Sequence, residues 1–363
     1  MKILAINPGS TSTKVALFED DRELWSDTQR YDVDVIRTFH GVMDQEDFRL
    51  GEIRKVLAGH NVKLSDLDAV VGRGGILKPI PGGTYYVNQD MLDDLASCKY
   101  GAHASNLGAG LALHLAEEGG HNRAFIVDPV VVDELVPEAR ISGMPEIKRI
   151  TIWHALNQKA VARRAAKEMN GKYEDFNMIV AHMGGGISVG AHEKGRVIDV
   201  NNALDGEGPF SPERAGSLPV GSLVKLAYSG KYDLHELLGK IVGGGGLVAH
   251  LGTSDLREVQ KMVDSGNKKA QMVFEALALQ ISKEIGARST VLKGKVDTVI
   301  LTGGLAYSDR LVELIKQRVS YIAEVRVYPG EDEMKALAEG ALRVLTGEEK
   351  VCTYKKEKAG DEY

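Results

Sequence analysis

The stretch Lys2-Ile-Leu-Ala-Ile-Asn-Pro-Gly-Ser-Thr-Ser-Thr-Lys-Val-Ala-Leu-Phe18 opens the chain and decides how the rest is read. Two apolar runs, residues 3–6 and 15–18, flank a turn begun by Asn7, Pro8, Gly9 and Ser10. Run, turn and run predict a β-hairpin. Ser10, Thr11, Ser12, Thr13 and Lys14 continue the turn with hydroxyls and a cation. Hydroxyls and backbone N–H groups in a tight turn form a nest for anions, and a lysine adds a point charge. This is the composition of a phosphate-binding turn. It is not a Walker A loop: Gly-x-x-x-x-Gly-Lys-Ser/Thr is absent, and a strand rather than a helix is expected after Lys14.

The pattern recurs. Met178-Ile-Val-Ala-His-Met-Gly-Gly-Gly-Ile-Ser-Val-Gly-Ala-His192 has an apolar run, a turn at Gly184, Gly185 and Gly186, then Ser188 and a return run. Thr298-Val-Ile-Leu-Thr-Gly-Gly-Leu305 reads as a strand ending in Gly303 and Gly304, with a helix from near Ser308. A hairpin with a phosphate turn in each half suggests a duplicated nucleotide clamp.

At 363 residues the chain has room for about two domains. Hydrophobic residues at 43% and charged residues at 26% mark an ordinary globular composition. A formal net charge of -6 gives no general attraction to nucleic acid. No cleavage pattern follows the first apolar run, and no apolar stretch reaches the ~18 residues of a membrane span. A cytoplasmic protein without membrane partners is expected. Cys98 and Cys352 have neither metal spacing nor a disulfide framework, which fits a reducing compartment.

Several polar residues are candidates for chemistry, two at strand ends and the others beside a helix, in a helix or in a loop. Arg73 follows the short strand 69–71 among Gly72, Gly74 and Gly75, at the carboxyl edge where open α/β sheets bind ligands. His103 lies just outside a helix whose expected N-cap is Ser105 or Asn106. Asp128 ends the strand 124–127 and could hold a metal, position a reacting group or cap a turn. His154 falls in the first turn of a helix expected over 151–169. The Gly/Pro/Ser loop 199–221 carries Arg214, and a loop of that length is usually functional or mobile.

Further on, the four glycines 243–246 suggest a hinge or a close backbone contact. Thr253 or Ser254 is expected to cap a helix over 255–263, and 267–292 is the longest helix. The last helix is expected over 331–345, with Glu331, Asp332 and Glu333 in its first turn. The polar tail 347–363 is expected to fray.

Taken in order, Asn7-Pro-Gly-Ser-Thr-Ser-Thr-Lys14, Val70-Val-Gly-Arg-Gly-Gly75, Gly101-Ala-His-Ala-Ser-Asn-Leu-Gly108, His182-Met-Gly-Gly-Gly-Ile-Ser188 and Leu301-Thr-Gly-Gly304 resemble the acetate and butyrate kinase (acetokinase) family, butyrate kinase most. The resemblance runs from about residue 3 to 345. It implies an α/β, two-domain, duplicated fold of the actin/hexokinase/heat-shock-70 ATPase type, with nucleotide in the interdomain cleft. The expected division is 1–150 plus 335–363 for one domain and 151–334 for the nucleotide-binding other.

By that resemblance Arg73 would hold the substrate carboxylate, with Gly74, His103 and Asn106 around the acyl pocket. Arg214 would neutralise the transferred phosphoryl group, Asp128 matches a catalytic aspartate, and His154 a transition-state histidine. ATP/ADP would meet Asn7, Ser10, Ser12, Thr13, Lys14, His182, Gly184, Gly185 and Gly186, with adenine and ribose near Asp255, Arg257, Gly303 and Gly304. Mg²⁺ would sit by Asn7, Asp128 and Glu333. A homodimer or larger homo-oligomer is implied.

The sequence departs from acetate kinase around Arg73, where Gly-Arg-Gly-Gly replaces a longer Arg-Val-Val-His-Gly-Gly run, and at Gly185, where acetate kinase has asparagine. A wider acyl pocket is expected, favouring butyrate or a branched analogue over acetate or propionate. The expected reaction is ATP plus a short-chain carboxylate giving acyl phosphate and ADP, reversibly. A sugar or alcohol kinase of the superfamily is the nearest alternative.

Overall fold

The computed structural model describes residues 1–357 and divides into two compact units, Met1–Val132 with the chain from Asp332 onward, and Asp133–Glu331. Residues 133–150, expected in the first unit, group with the second.

The first unit is a seven-stranded sheet of β1 (Lys2–Gly9), β2 (Ser12–Glu19), β3 (Arg22–Arg30), β4 (Ala69–Arg73), β5 (Thr84–Tyr86), β6 (Ala124–Val127) and, near the carboxyl end of the chain, β12 (Cys352–Thr353). Its order is β12-β5-β6-β4-β1-β2-β3, with β1, β2 and β3 an antiparallel meander and β4 and β6 parallel to β1. β1 is apolar on both faces because it lies inside the sheet with helices on either side. Leu4 and Ile6 pack with helices Glu46–Gly59 and Leu107–Glu118. Helix Glu333–Leu345 crosses β1, β4 and β6, closely enough that a Cβ on Gly340 would stand 2.6 Å from the Val127 side chain.

The second unit repeats the plan with β7 (Asn177–Met183), β8 (Ile187–Glu193), β9 (Arg196–Val200), β10 (Thr298–Gly303) and β11 (Glu324–Pro329). Its order is β11-β10-β7-β8-β9: a meander of β7, β8 and β9, then parallel β10 and β11. The run β6-β4-β1-β2-β3 and the run β11-β10-β7-β8-β9 are one topology twice, the duplication the paired hairpins suggested. Helix Lys268–Val291 buries Ala270, Val273, Phe274, Leu277, Ile281 and Ile285 at helical spacing against one face. Each large side chain so buried contributes roughly 1.5–3 kcal/mol. Helix Ala155–Glu168 covers the other face through Ala162, Ala165 and Ala166.

Several boundaries differ from the sequence expectation. β1 and β2 stay paired to Gly9↔Ser12, so Asn7, Pro8 and Gly9 belong to a strand and the tip is Ser10 and Thr11. The helix expected from 151 starts at Ala155, leaving His154 at its N-cap. The helix after residue 254 is capped by Asp255, whose carboxylate accepts from Arg257 N. The last helix starts at Glu333, after Asp332.

The tail is not frayed over its described part: β12 pairs with β5, Glu349 accepts from Thr84 N at 2.9 Å, and buried Tyr354 donates to Asp94 at 2.7 Å. Residues 358–363 of that expectation lie outside the described residues. The loop 199–221 is pinned where it begins, as Arg149 bonds Asp199 at 3.0 Å and Glu207 at 3.1 Å. Gly246, at φ 56°, makes a close backbone contact rather than a hinge; a Cβ there would lie 1.7 Å from Ser211 O. Among the described residues no helix is long and apolar enough to cross a membrane.

Candidate active site

In the first unit the hairpin tip exposes Ser10 and Lys14, half-buries Ser12 and buries Thr13 completely. Alternation along β2 dictates this, since Thr13 and Val15 share its inward face. Thr13 is therefore not offered to a phosphate. Beneath the tip lies the wholly buried Arg49. Its guanidinium donates to Ser12 O at 2.9 Å, Thr13 Oγ1 at 3.0 Å, Ser10 O at 3.2 Å and Gln45 Oε1 at 2.8 Å. Burial lowers its pKa. Arg49 thus occupies two carbonyls of the tip and lays positive charge under it.

The same unit gathers Asn7, Arg73 and Glu333. Asn7 Nδ2 donates to Glu333 Oε2 at 2.6 Å, and Arg73 Nη1 pairs with Glu333 Oε1. Arg73 ends β4 tight against the helix at Leu107–Glu118: a Cβ on Gly108 would fall 2.2 Å from Arg73 O. His103 is within electrostatic reach of it; partial dehydration and then the Arg73 guanidinium lower the His103 pKa.

Asn106 caps no helix through its side chain; buried, it accepts from Ile76 N at 2.9 Å and donates to Gly101 O at 2.9 Å. The glycines beside Arg73 do not open a pocket where their side chains would go. A Cβ on Gly74 would meet Pro129 Cβ at 2.6 Å, and one on Gly75 would meet Asn106 Cα at 2.6 Å. Asp128 is buried at φ 37° and accepts from Gly83 N at 2.7 Å, so of its three expected roles the turn-capping contact is the one observed.

The second unit gathers His154, His182, Arg214 and Glu331 about the turn at Gly184, Gly185 and Gly186. The rings of His154 and His182 stack with centroids 3.7 Å apart. His182 bonds Asn157 Oδ1 through Nδ1 at 2.7 Å, and its Nε2 lies 3.0 Å from Glu331 Oε1. Arg214 donates to Ala203 O at 2.5 Å and lies directly on the turn, since a Cβ on Gly186 would stand 1.8 Å from its Nη1. Ser211 ties the Arg214 loop to the turn by donating to Gly185 O at 2.5 Å. Gly303, at φ 88°, abuts Met183 at the end of β7, where a Cβ would fall 2.5 Å from Met183 O; Gly304 follows it.

Asp255 and Arg257 are bonded to each other at 2.6 Å, which pulls the Asp255 pKa down to about 2. Sequence reasoning passed over Arg49, Asn157 and Gln158, read Glu331 only as a charge at a helix start, and left Ser188 without a role. The available signal was Ser188-x-Gly190-x-His192 on one strand face opposite His154 and Gln158 one helical turn apart.

Mg²⁺ takes oxygen ligands, commonly one or two carboxylates together with substrate phosphates. Glu333 beside Asn7 offers a carboxylate and a carboxamide, a donor set that fits an ion carried in on phosphates. Among the described residues no three His, Cys, Asp or Glu side chains converge to cage a metal by themselves. Asp128, the third residue expected near the ion, is buried and accepts from Gly83 N through Oδ1.

The acetokinase family model matches residues 146–325. Acetate kinase from Porphyromonas gingivalis aligns at 19% identity over 95% of this chain and 99% of its own, with a TM-score of 0.79. A propionate kinase from Francisella tularensis subsp. tularensis SCHU S4 aligns at 18% identity over 93% and 98%, with a TM-score of 0.73. A ROK hexokinase from Thermus thermophilus aligns at 14% identity over 96% and 99%, with a TM-score of 0.51. At these identities the structural likeness is one of fold.

Proposed function

The chain belongs to the acetokinase family and has the actin/hexokinase/heat-shock-70 ATPase fold, and from that premise we propose that it reversibly transfers a phosphoryl group from ATP to a short-chain carboxylic acid. The observation that supports this best is Arg73. A guanidinium matches a carboxylate in a planar fork, and Arg73 is already engaged by one, that of Glu333.

Phosphoryl transfer rests on positioning and on neutralising charge. Arg73 would hold the acid and aim one oxygen at the phosphorus. A carboxylate titrates near pH ~4 and is ionised at neutral pH, so it needs no general base. Asp128 then serves by holding the end of β6 through Gly83. Ser10, Ser12 and Lys14 on one hairpin, and Gly184, Gly185 and Gly186 on the other, would receive phosphates. Arg214 and His154 would donate to the phosphoryl oxygens in flight, and Asn7 with Glu333 would hold Mg²⁺. When bound with nucleotide, that ion offsets charge on the phosphate oxygens.

Butyrate or a branched four- or five-carbon acid is the substrate we favour, on the likeness of the motif around Arg73 to butyrate kinase; acetate and propionate are the alternatives. Hydroxamate trapping with Mg-ATP across acetate, propionate, butyrate, isobutyrate and valerate tests both levels. A peak at a four- or five-carbon acid, lost in Arg73→Ala, supports the full reading. A peak at acetate keeps the carboxylate kinase and removes butyrate. No hydroxamate from any acid refutes the reading.

Self-association is part of the proposal. Helix Val220–Ala227 has no buried residue, although it carries Val220, Leu223, Val224 and Leu226. In the same unit a groove of about 640 Å³ is lined by Ile150, Ile152, Leu204, Leu234, Leu238 and Val242. Tyr228 is 90% exposed and Ile141 76% exposed. Exposed apolar groups of this kind suit an interaction face, and the occupant we propose for it is a second copy of the chain. A monomeric mass in sedimentation at micromolar concentration would remove it.

A further inference from the structure

A chain of side chains in the second unit runs from Tyr173 to His154, and the hydrogen on each link can be assigned. Ser188, Gly190 and His192 share one face of β8. Gly190 leaves room on that face for Gln158, since a Cβ there would lie 2.6 Å from Gln158 Oε1. Gln158 is wholly buried. Its Nε2 stands 3.0 Å from Ser188 O and 2.7 Å from Ser188 Oγ. A backbone carbonyl only accepts, so the nitrogen end of this amide faces Ser188 and the oxygen end faces His192.

Gln158 Oε1 also only accepts, so His192 Nε2, 3.0 Å away, carries a hydrogen. Loss of hydration, then Lys159 and Arg163, push the His192 pKa well down, and the ring is neutral. Its Nδ1 is therefore bare and takes the Tyr173 hydroxyl hydrogen at 2.7 Å.

At the other end, Ser188 Oγ receives the Gln158 N–H. Its own hydrogen has an acceptor in His154 Nδ1 at 2.8 Å. A hydrogen on that Nδ1 would make Ser188 Oγ accept from both neighbours and leave its own buried hydrogen without the acceptor that His154 Nδ1 offers. His154 is half-buried while Tyr173, His192, Gln158 and Ser188 are buried, so it is the end of the chain that meets solvent.

We infer that Ser188 is a positioning residue that fixes His154 as the neutral Nε2–H tautomer, a preset hydrogen-bond donor. The stacked His182, itself held by Asn157, fixes the plane of the ring. This deepens the proposed function and rests on it only for what His154 donates to: a phosphoryl oxygen, from an uncharged imidazole. Charged or titratable groups about the chain include His182 with Glu331 beside it, and, near His192, Arg163 and Lys159, the latter paired with Glu134 at 2.9 Å.

Long-range ¹H–¹⁵N correlation spectra of the full chain, labelled at histidine, read the tautomer without turnover. The expected result is His154 protonated at Nε2 and bare at Nδ1. Ser188→Ala is expected to mix the two tautomers and to lower kcat by roughly tenfold to hundredfold, bounded by the loss of one aimed donor. KM for ATP and for the acid should change little, and Ser188→Thr should restore both signals. A wild-type His154 protonated at Nδ1, or a tautomer unmoved by Ser188→Ala, overturns the inference. An Nε2–H tautomer in a protein that phosphorylates no acid sustains the assignment and refutes the catalytic reading instead.

Discussion

Asn7 and Glu333 lie 326 positions apart, yet Asn7 Nδ2 donates to Glu333 Oε2 at 2.6 Å while the other carboxylate oxygen pairs with Arg73. One carboxylate thus serves two neighbours, and the proposed roles need it free of at least one. Glu333→Gln keeps the shape and removes the charge. It is expected to lower kcat by about a hundredfold, the scale of losing one preorganised electrostatic group, and to raise the Mg²⁺ concentration needed for half-maximal rate. The KM for the acid should not rise, because Arg73 loses an ionic competitor. Hydroxamate rates titrated separately in Mg²⁺ and acid check this; a raised acid KM with unchanged metal dependence would reassign Glu333 to acid binding.

Adjacent glycines of the second turn should respond differently. A Cβ on Gly186 would lie 1.8 Å from Arg214 Nη1 and 3.0 Å from Ala203 O, whereas one on Gly185 would meet Glu213 Oε2 at 3.5 Å, an ordinary contact. Gly186→Ala is expected to displace the guanidinium and cut kcat by about a hundredfold, with some loss of melting temperature because Arg214 gives up its bond to Ala203 O. Gly185→Ala should be near neutral in both. Equal kcat losses for the two would detach Arg214 from the phosphoryl group.

The hairpins and the duplicated plan were legible because alternation and glycine turns are local signals, and a sheet must repeat them to repeat itself. The tip of the first hairpin was misplaced because Asn7, Pro8 and Gly9 have turn chemistry, while pairing with Lys14, Thr13 and Ser12 keeps them in the strand. Residues 151–154 resembled a helix start, but they lie outside the helix, with Thr151 and Trp153 buried ahead of Ala155. What no local pattern carries is which distant side chains meet. Asn7 with Glu333, His154 with Ser188, and Arg149 with Asp199 each need the whole sheet in place first. The glycines beside Arg73 show the converse: missing side-chain bulk suggested a wider pocket, but Pro129 and Asn106 fill those positions.

Arg49 carries a buried positive charge whose hydrogen bonds go to neutral oxygens: two backbone carbonyls, Thr13 Oγ1 and Gln45 Oε1. An anion at the hairpin tip would complement that charge. Arg49→Met should remove the guanidinium's bonds to Ser10 O, Ser12 O, Thr13 Oγ1 and Gln45 Oε1 and so loosen the hairpin tip. It should also weaken nucleotide binding. The readout is the rise in melting temperature on adding ATP, expected to be large in the wild type and reduced in Arg49→Met. An undiminished rise would confine Arg49 to holding the hairpin together.

His192 sets how stability depends on pH. Its folded-state pKa lies well below the ordinary value of 6.5, through burial and then Lys159 and Arg163. Below pH 6.5 the unfolded chain therefore takes up a proton at this ring that the folded chain does not. Stability is complete above that pH and falls as the solution becomes more acidic, by up to about 1.4 kcal/mol per pH unit from this group. His103 and His121 are shifted the same way and add smaller slopes, being less enclosed. Urea midpoints between pH 7.5 and 5, converted to free energies, should fall steeply for the wild type. His192→Gln should begin lower, having lost the bond that Tyr173 makes to His192 Nδ1, but decline less steeply. Parallel slopes for the two proteins would mean that the proton enters elsewhere, and His192 would no longer account for the acid sensitivity of the fold.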